Sequence, residues 1–116
     1  MTQTNIIINT QVEGTHNWPA CPFEEVDFLR HPHRHIFNIC AKKEVTHDDR
    51  DIEIIMLKRQ INDYLTNAYY NSKPNTHEFG ARSCEMLAKE LLIEFNLDYC
   101  SVLEDGENGA EIFKKY

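Results

Sequence analysis

Apolar or β-prone residues recur at every second position from Asn5 to Val12, with Ile6, Ile8, Thr10 and Val12 on one side of the chain. A period of two is the mark of a half-buried strand, and here it predicts a strand running on to about His16. The stretch 17–32 contains Pro19, Pro22 and Pro32 among a cluster of acids, so it reads as a long excursion rather than a tight turn. Long loops of this kind often carry function. A second strand is expected from about His33 to Val45, with Phe37, Ile39, Ala41 and Val45 on one face and Ile36, Asn38 and Cys40 on the other.

The period then changes. After the turn T-H-D-D-R-D, Ile54, Leu57, Ile61, Leu65 and Ala68 recur at helical spacing, which predicts an amphipathic helix near 54–70. N-S-K-P-N-T-H-E-F-G-A-R reads as a linker. Ser83 then suits the N-cap of a second helix whose apolar stripe is Cys84, Leu87, Ala88, Leu91 and Phe95. Strands are expected again at Tyr99–Glu104 and Ala110–Phe113, joined by a turn with Asp-Gly and Asn-Gly pairs. The predicted order is β-β-α-α-β-β, an α+β domain in which a four-stranded antiparallel sheet carries both helices on one face.

The length of 116 residues, 41% of them apolar, suits a single domain spanning residues 1–116. So small a chain has little room for a deep pocket, and a site between subunits of a homo-oligomer is the natural expectation. Nineteen acids against twelve bases give a formal charge of −7, with no basic cluster beyond pairs such as Lys42-Lys43. Nucleic acid is therefore a poor partner. No apolar run approaches a membrane span and no secretory leader is visible, so no membrane partner and a cytoplasmic location are expected. Cys21, Cys40, Cys84 and Cys100 are scattered without a C-x-x-C pair and read as buried thiols, Cys21 being the one placed for exposure by its Pro-rich loop.

Histidines carry the candidate chemistry. His33 and His35 lie two apart on a strand, so their rings share a face, and His16 ends the strand expected to pair with theirs. Three imidazoles with one position left open are a common way to hold catalytic zinc. From spacing alone, solvated or hydrogen-bonded histidines are the other reading, and His31 is a further candidate if the strand begins before Pro32. His47 and His77 fall in turns, where solvation is expected.

Five segments, taken together, are similar to the motifs of one known family. Val12 to His16 matches a strand-ending F-x-x-x-H with Val in the first place. His33-Arg34-His35-Ile36-Phe37 resembles H-G-H followed by an aromatic. Ile52-Glu53-Ile54 with Leu57-Lys58 is similar to I-D-F-x-x-L-K at the start of a first helix, and Ser83 to Ala88 to P-T-S-E-x-L-A at the start of a second. Val102-Leu103-Glu104-Asp105 resembles V-x-E-T. In these respects nearly the whole chain resembles the 6-pyruvoyl/6-carboxytetrahydropterin synthase family.

That resemblance implies the tunnelling fold, or T-fold, whose β-β-α-α-β-β subunits close into a barrel and assemble as trimers or hexamers with sites between subunits. It implies zinc held by His16, His33 and His35, and a pterin- or purine-like ligand whose side-chain hydroxyls meet the metal. Glu104 matches the carboxylate that grips the heterocycle, a task suited to two adjacent oxygens taking a pair of N–H donors. Glu85 falls in the second-helix motif and joins the ligand-binding set. The family also uses a Cys and an Asp-His pair to move protons, and these depart from the pattern here. Leu29 stands at the cysteine position, and Tyr69 and Tyr70 at the Asp-His pair. Cys21, Asp27, Glu24, Glu25 and His77 are the other candidates for proton transfer, while Tyr69 and Tyr70 are candidates for stacking on a flat ligand. Three accounts follow: a lyase acting on 7,8-dihydroneopterin triphosphate or a relative, a binding protein that performs no chemistry, and a structural oligomer stapled by its histidines.

Overall fold

The computed structural model describes residues 1–115. Its frame is a pair of long strands, β1 (Thr4–His16) and β2 (His33–Val45), paired antiparallel without interruption from Thr4↔Val45 to His16↔His33. Partners across an antiparallel pair project to the same side. The register therefore stacks Ile8 on Ala41, Thr10 on Ile39 and Val12 on Phe37, which puts the two predicted alternations on one face.

The helices cover that face. The helix α1 (Ile54–Tyr69) begins where the Glu53 carboxylate accepts from the Ile55 and Met56 N–H groups, and it buries Leu57, Ile61 and Leu65. Its predicted stripe is trimmed at both ends, since Ile54 in the first turn and Ala68 in the last face solvent. These end residues lie beyond the sheet contact that buries the middle of the helix.

The rest of the chain departs from the four-stranded prediction. The last residue of the expected first helix and the residues expected to be linker supply two further strands, β3 (Tyr70–Asn71) and β4 (Thr76–Gly80). Then come α2 (Cys84–Glu94), β5 (Tyr99–Glu104) and β6 (Asn108–Phe113). The sheet is six-stranded in the order β3-β4-β1-β2-β5-β6, and the β1–β4 pairing is parallel rather than antiparallel. Gly14 makes this possible. A Cβ there would lie 2.8 Å from Cδ2 of Phe79, so the missing side chain is the space that the buried Phe79 ring occupies.

Ser83 caps α2 by accepting the Met86 N–H, and Cys84, Leu87, Ala88 and Leu91 are buried beneath it. Lys43 Nζ closes the other end of this helix by donating to the Phe95 and Asn96 carbonyls at 2.9 and 3.0 Å, a favourable place for a cation. Both helices share one core with Phe37, Ile39, Cys100 and Val102 of the sheet. Along β2 and β5 the same alternation continues through Phe37↔Glu104, so the core face leads directly to His33, His35, His16 and Glu104 at one end of the sheet.

Candidate metal centre

Three strands bring four donors together. One ligand atom from each of His16, His33, His35 and Glu104 lies within 4.8 Å of all the others. The rings pack edge to face, with centroids 4.6 Å apart for His16 and His33 and 5.0 Å for His33 and His35. Phe37 lies below, 5.1 Å from His16 and 5.8 Å from His35, and links the cluster to the core.

The second ring nitrogens decide what the cluster can do. His16 Nδ1 lies 2.9 Å from the Arg82 carbonyl, His33 Nδ1 lies 3.0 Å from the His31 carbonyl, and His35 Nδ1 lies 2.7 Å from Asp105 Oδ2. All three contacts are to acceptors, so in each neutral ring Nδ1 carries the hydrogen and Nε2 presents its lone pair. This arrangement of outer carbonyls and a carboxylate is the usual way to fix an imidazole for metal ligation. Asp105 also accepts the Ile36 N–H at 2.9 Å, and that bond, followed by the one to His35, holds its carboxyl below the ordinary aspartate range.

His16 supplies the test of fit. Its Nε2 is buried and has no hydrogen-bond partner, although Oε2 of Glu104 is only 2.8 Å away. The distance is short while the alignment of a hydrogen bond is missing. An orphaned, buried lone pair among two other imidazoles and a carboxylate fits a divalent cation.

The cluster opens on a cavity of about 450 Å³, within the usual range for small-molecule sites. Asn17, Trp18 and Leu29 of the 17–32 loop form one wall, while Arg82, Ser83, Cys84, Glu85 and Met86 at the start of α2 form another. His16, His33 and Glu104 reach this space, as does Asn108 from β6. Glu85 and Leu29 therefore share this cavity with the histidines and Glu104.

The other candidates lie elsewhere. Cys21 is buried rather than exposed, with Sγ 3.7 Å from the carbonyls of Phe23 and Val26, because the 3-10 helical segment Glu24–Arg30 folds over it. Asp27, Glu24 and Glu25 face solvent on that segment, and none of them lines the cavity. His77 is in β4 rather than a solvated turn. Its ring stacks on Phe79 at 5.9 Å, Nδ1 lies 2.9 Å from the Glu13 carbonyl, and its buried Nε2 has no partner. Tyr69 packs on Phe79 and donates to the Glu90 carboxylate at 2.5 Å, and desolvation followed by that bond pushes its phenol above the ordinary range. Tyr70 donates to Asn75 and meets His77 edge to face.

Trp18, Arg82, Met86, Asn108 and Cys84 also line the cavity and escape sequence reasoning, and of these Cys84 carries the only thiol. Cys84 reads as part of a core stripe, yet it also faces the cavity next to the N-cap Ser83. Burial, then the charges of Glu104 and Glu85, push its thiol up to about 12, so it is neutral at physiological pH. The only advance signal is its place in the first turn of α2, where one face meets the core and the other the site. No family model and no curated protein matches the chain.

Proposed function

We propose that the protein is a zinc-dependent lyase of the 6-pyruvoyl/6-carboxytetrahydropterin synthase type, acting on a dihydropterin of the 7,8-dihydroneopterin triphosphate class. One observation carries the reading: three imidazoles have their Nδ1 atoms committed to acceptors and their Nε2 atoms gathered beside a ligand-sized cavity. A purely structural staple has no need of such a chamber. The succession β1, β2, α1, α2, β5, β6 supports the resemblance to the tunnelling fold, with β3 and β4 as an addition between the helices.

Zinc, when bound, lowers the pKa of a coordinated hydroxyl or water and polarises a neighbouring carbonyl. The chain's own residues position the ligand. Trp18, Leu29 and Met86 offer apolar wall to a flat ring, while Arg82, Glu85 and Asn108 offer polar groups at the rim. In this reading Cys84 is the thiol that lines the cavity where Leu29 offers none, and its raised pKa makes it a weak acid that needs a further cation beside it to give up its proton.

A second reading, a pterin-binding protein without turnover, is favoured by the placing of Cys21, Asp27 and His77 outside the cavity. Purified protein is analysed for metal and incubated with 7,8-dihydroneopterin triphosphate. Release of triphosphate that disappears in His33→Ala is the result expected of the lyase. Retention of the intact pterin by zinc-loaded protein identifies the binding protein. Protein that holds no zinc overturns both.

A further inference from the structure

The carboxylate of Glu104 lies against two imidazoles of the histidine cluster. Its Oε2 lies 2.8 Å from His16 Nε2 and 3.3 Å from His35 Nε2. Both rings have their Nδ1 hydrogens pointed at acceptors, so each neutral ring leaves an Nε2 without a hydrogen within 3.3 Å of this oxygen. No backbone N–H and no Lys or Arg among the described residues hydrogen-bonds this carboxylate. An anionic oxygen this close to two ring nitrogens is stabilised when a cation, whether a proton or a metal ion, is shared among the three. The neighbouring Asp105 instead faces a donating Nδ1–H and a donating backbone N–H. Two successive carboxylates thus meet the same imidazole, His35, from its two sides, one at the hydrogen and one at the lone pair.

We infer that Glu104 is a displaceable fourth ligand of the metal, closing the centre when the cavity is empty. This rests on the zinc reading above and sharpens it, because three protein ligands leave an open position and four do not. Glu104 is also part of the cavity lining and is partly exposed, so its carboxylate can swing off the metal without leaving the chamber. An incoming ligand must bring a donor atom to take its place. The released carboxylate then faces the ligand inside the cavity that it lines. Glu104 would therefore serve in both states, first as ligand and then as cavity lining.

The test uses the full chain loaded with Co²⁺ in place of zinc, since visible absorption distinguishes four-coordinate from higher coordination, and azide as a small anionic probe of an open position. Wild type, Glu104→Gln and the exposed turn control Glu107→Gln are compared by chelator competition and by azide titration. Glu104→Gln is expected to weaken metal binding by about 10–100-fold or more, and to take up azide at concentrations about tenfold or more below those needed by wild type. Glu107→Gln should match wild type in both. Far-UV circular dichroism checks the fold, and Glu104→Asp, which keeps the charge but shortens the reach, replaces the amide variant if that one fails to fold. Equal metal affinity and equal azide uptake in wild type and variant overturn the inference while leaving a three-histidine centre standing. Wild type that binds no Co²⁺, leaving a plain histidine–carboxylate ion pair, overturns the inference together with the zinc reading.

Discussion

Asp105→Asn tests whether the outer carboxylate governs the metal centre. The residue has φ near +56°, in the left-handed region that asparagine adopts more readily than alanine, so Asn is the substitution that spares the turn. Asp105 accepts two hydrogen bonds, one from His35 Nδ1 at 2.7 Å and one from the Ile36 N–H at 2.9 Å. Asn has one oxygen for these two donors. If it keeps the backbone bond, its NH₂ group faces His35 and favours the tautomer with hydrogen on Nε2, which removes the ligand lone pair. Loss of such an outer partner typically costs about 10–100-fold in metal affinity, or about 1.4–2.8 kcal/mol. Competition against a chromophoric chelator at fixed pH measures the loss, with circular dichroism as the check that folding is unchanged. The ¹⁵N shifts of His35 in metal-free protein give an independent view, with hydrogen on Nδ1 expected in wild type. Unaltered zinc affinity in a folded variant, or hydrogen on Nε2 in wild type, refutes the argument.

Other consequences are accessible to standard measurements. Ile61 is fully buried in the shared core, and Ile61→Ala should lower stability in urea by about 2–5 kcal/mol; a loss well under 1 kcal/mol would mean that α1 does not pack as described. Gly14→Ala drives a Cβ against the Phe79 ring, itself wedged between Phe37 and Tyr69, and should cost about 1–3 kcal/mol in the same assay. Cys40 is half-buried while Cys21, Cys84 and Cys100 are buried, so alkylation of native protein followed by mass spectrometry should mark Cys40 first. Early labelling of Cys84 would contradict its place against the core. The Tyr64 phenol donates to Glu90 at 2.7 Å, and that bond, then burial, raises its pKa to about 12. The folded state thus holds this proton more tightly than the unfolded state. The associated stability is fully present below about pH 10 and is lost as pH rises toward about 12. Tyr64→Phe should flatten that part of the stability profile, and an unchanged alkaline slope would argue against the bond.

Legibility of the fold followed the range of the interactions involved. The long strands and both helices declare themselves through local periodicity, because a half-buried strand and a half-buried helix each repeat their apolar residues at a fixed interval. The histidine cluster was readable for the same reason: His33 and His35 continue the alternation of Phe37, Ile39 and Ala41. By contrast β3 and β4 lie in a stretch with Pro74, several Asn and Gly80, where turn chemistry dominates the local signal. Their anchor is the burial of Thr76 and Phe79 against β1, some sixty residues earlier, and the vacancy at Gly14 that admits the ring. Nothing near Phe79 in sequence announces that vacancy. The burial of Cys21 likewise depends on a loop that folds back on itself, with the Arg30 Nε–H donating to the Cys21 carbonyl at 3.0 Å. The approach of Glu104 to the histidines follows from the Phe37↔Glu104 register, which is a property of two strands separated by both helices.

The four donors of the centre come from strand ends, whereas much of the cavity wall comes from the 17–32 loop and the start of α2. The two kinds of element answer to different physical constraints. A single inserted residue in β1 would turn His16 to the opposite side of the sheet and break up the cluster. Residues such as Trp18, Leu29 or Met86 can be exchanged without disturbing any donor. Changes confined to one loop and one helical turn could accordingly alter what the cavity admits while leaving the candidate metal centre in place.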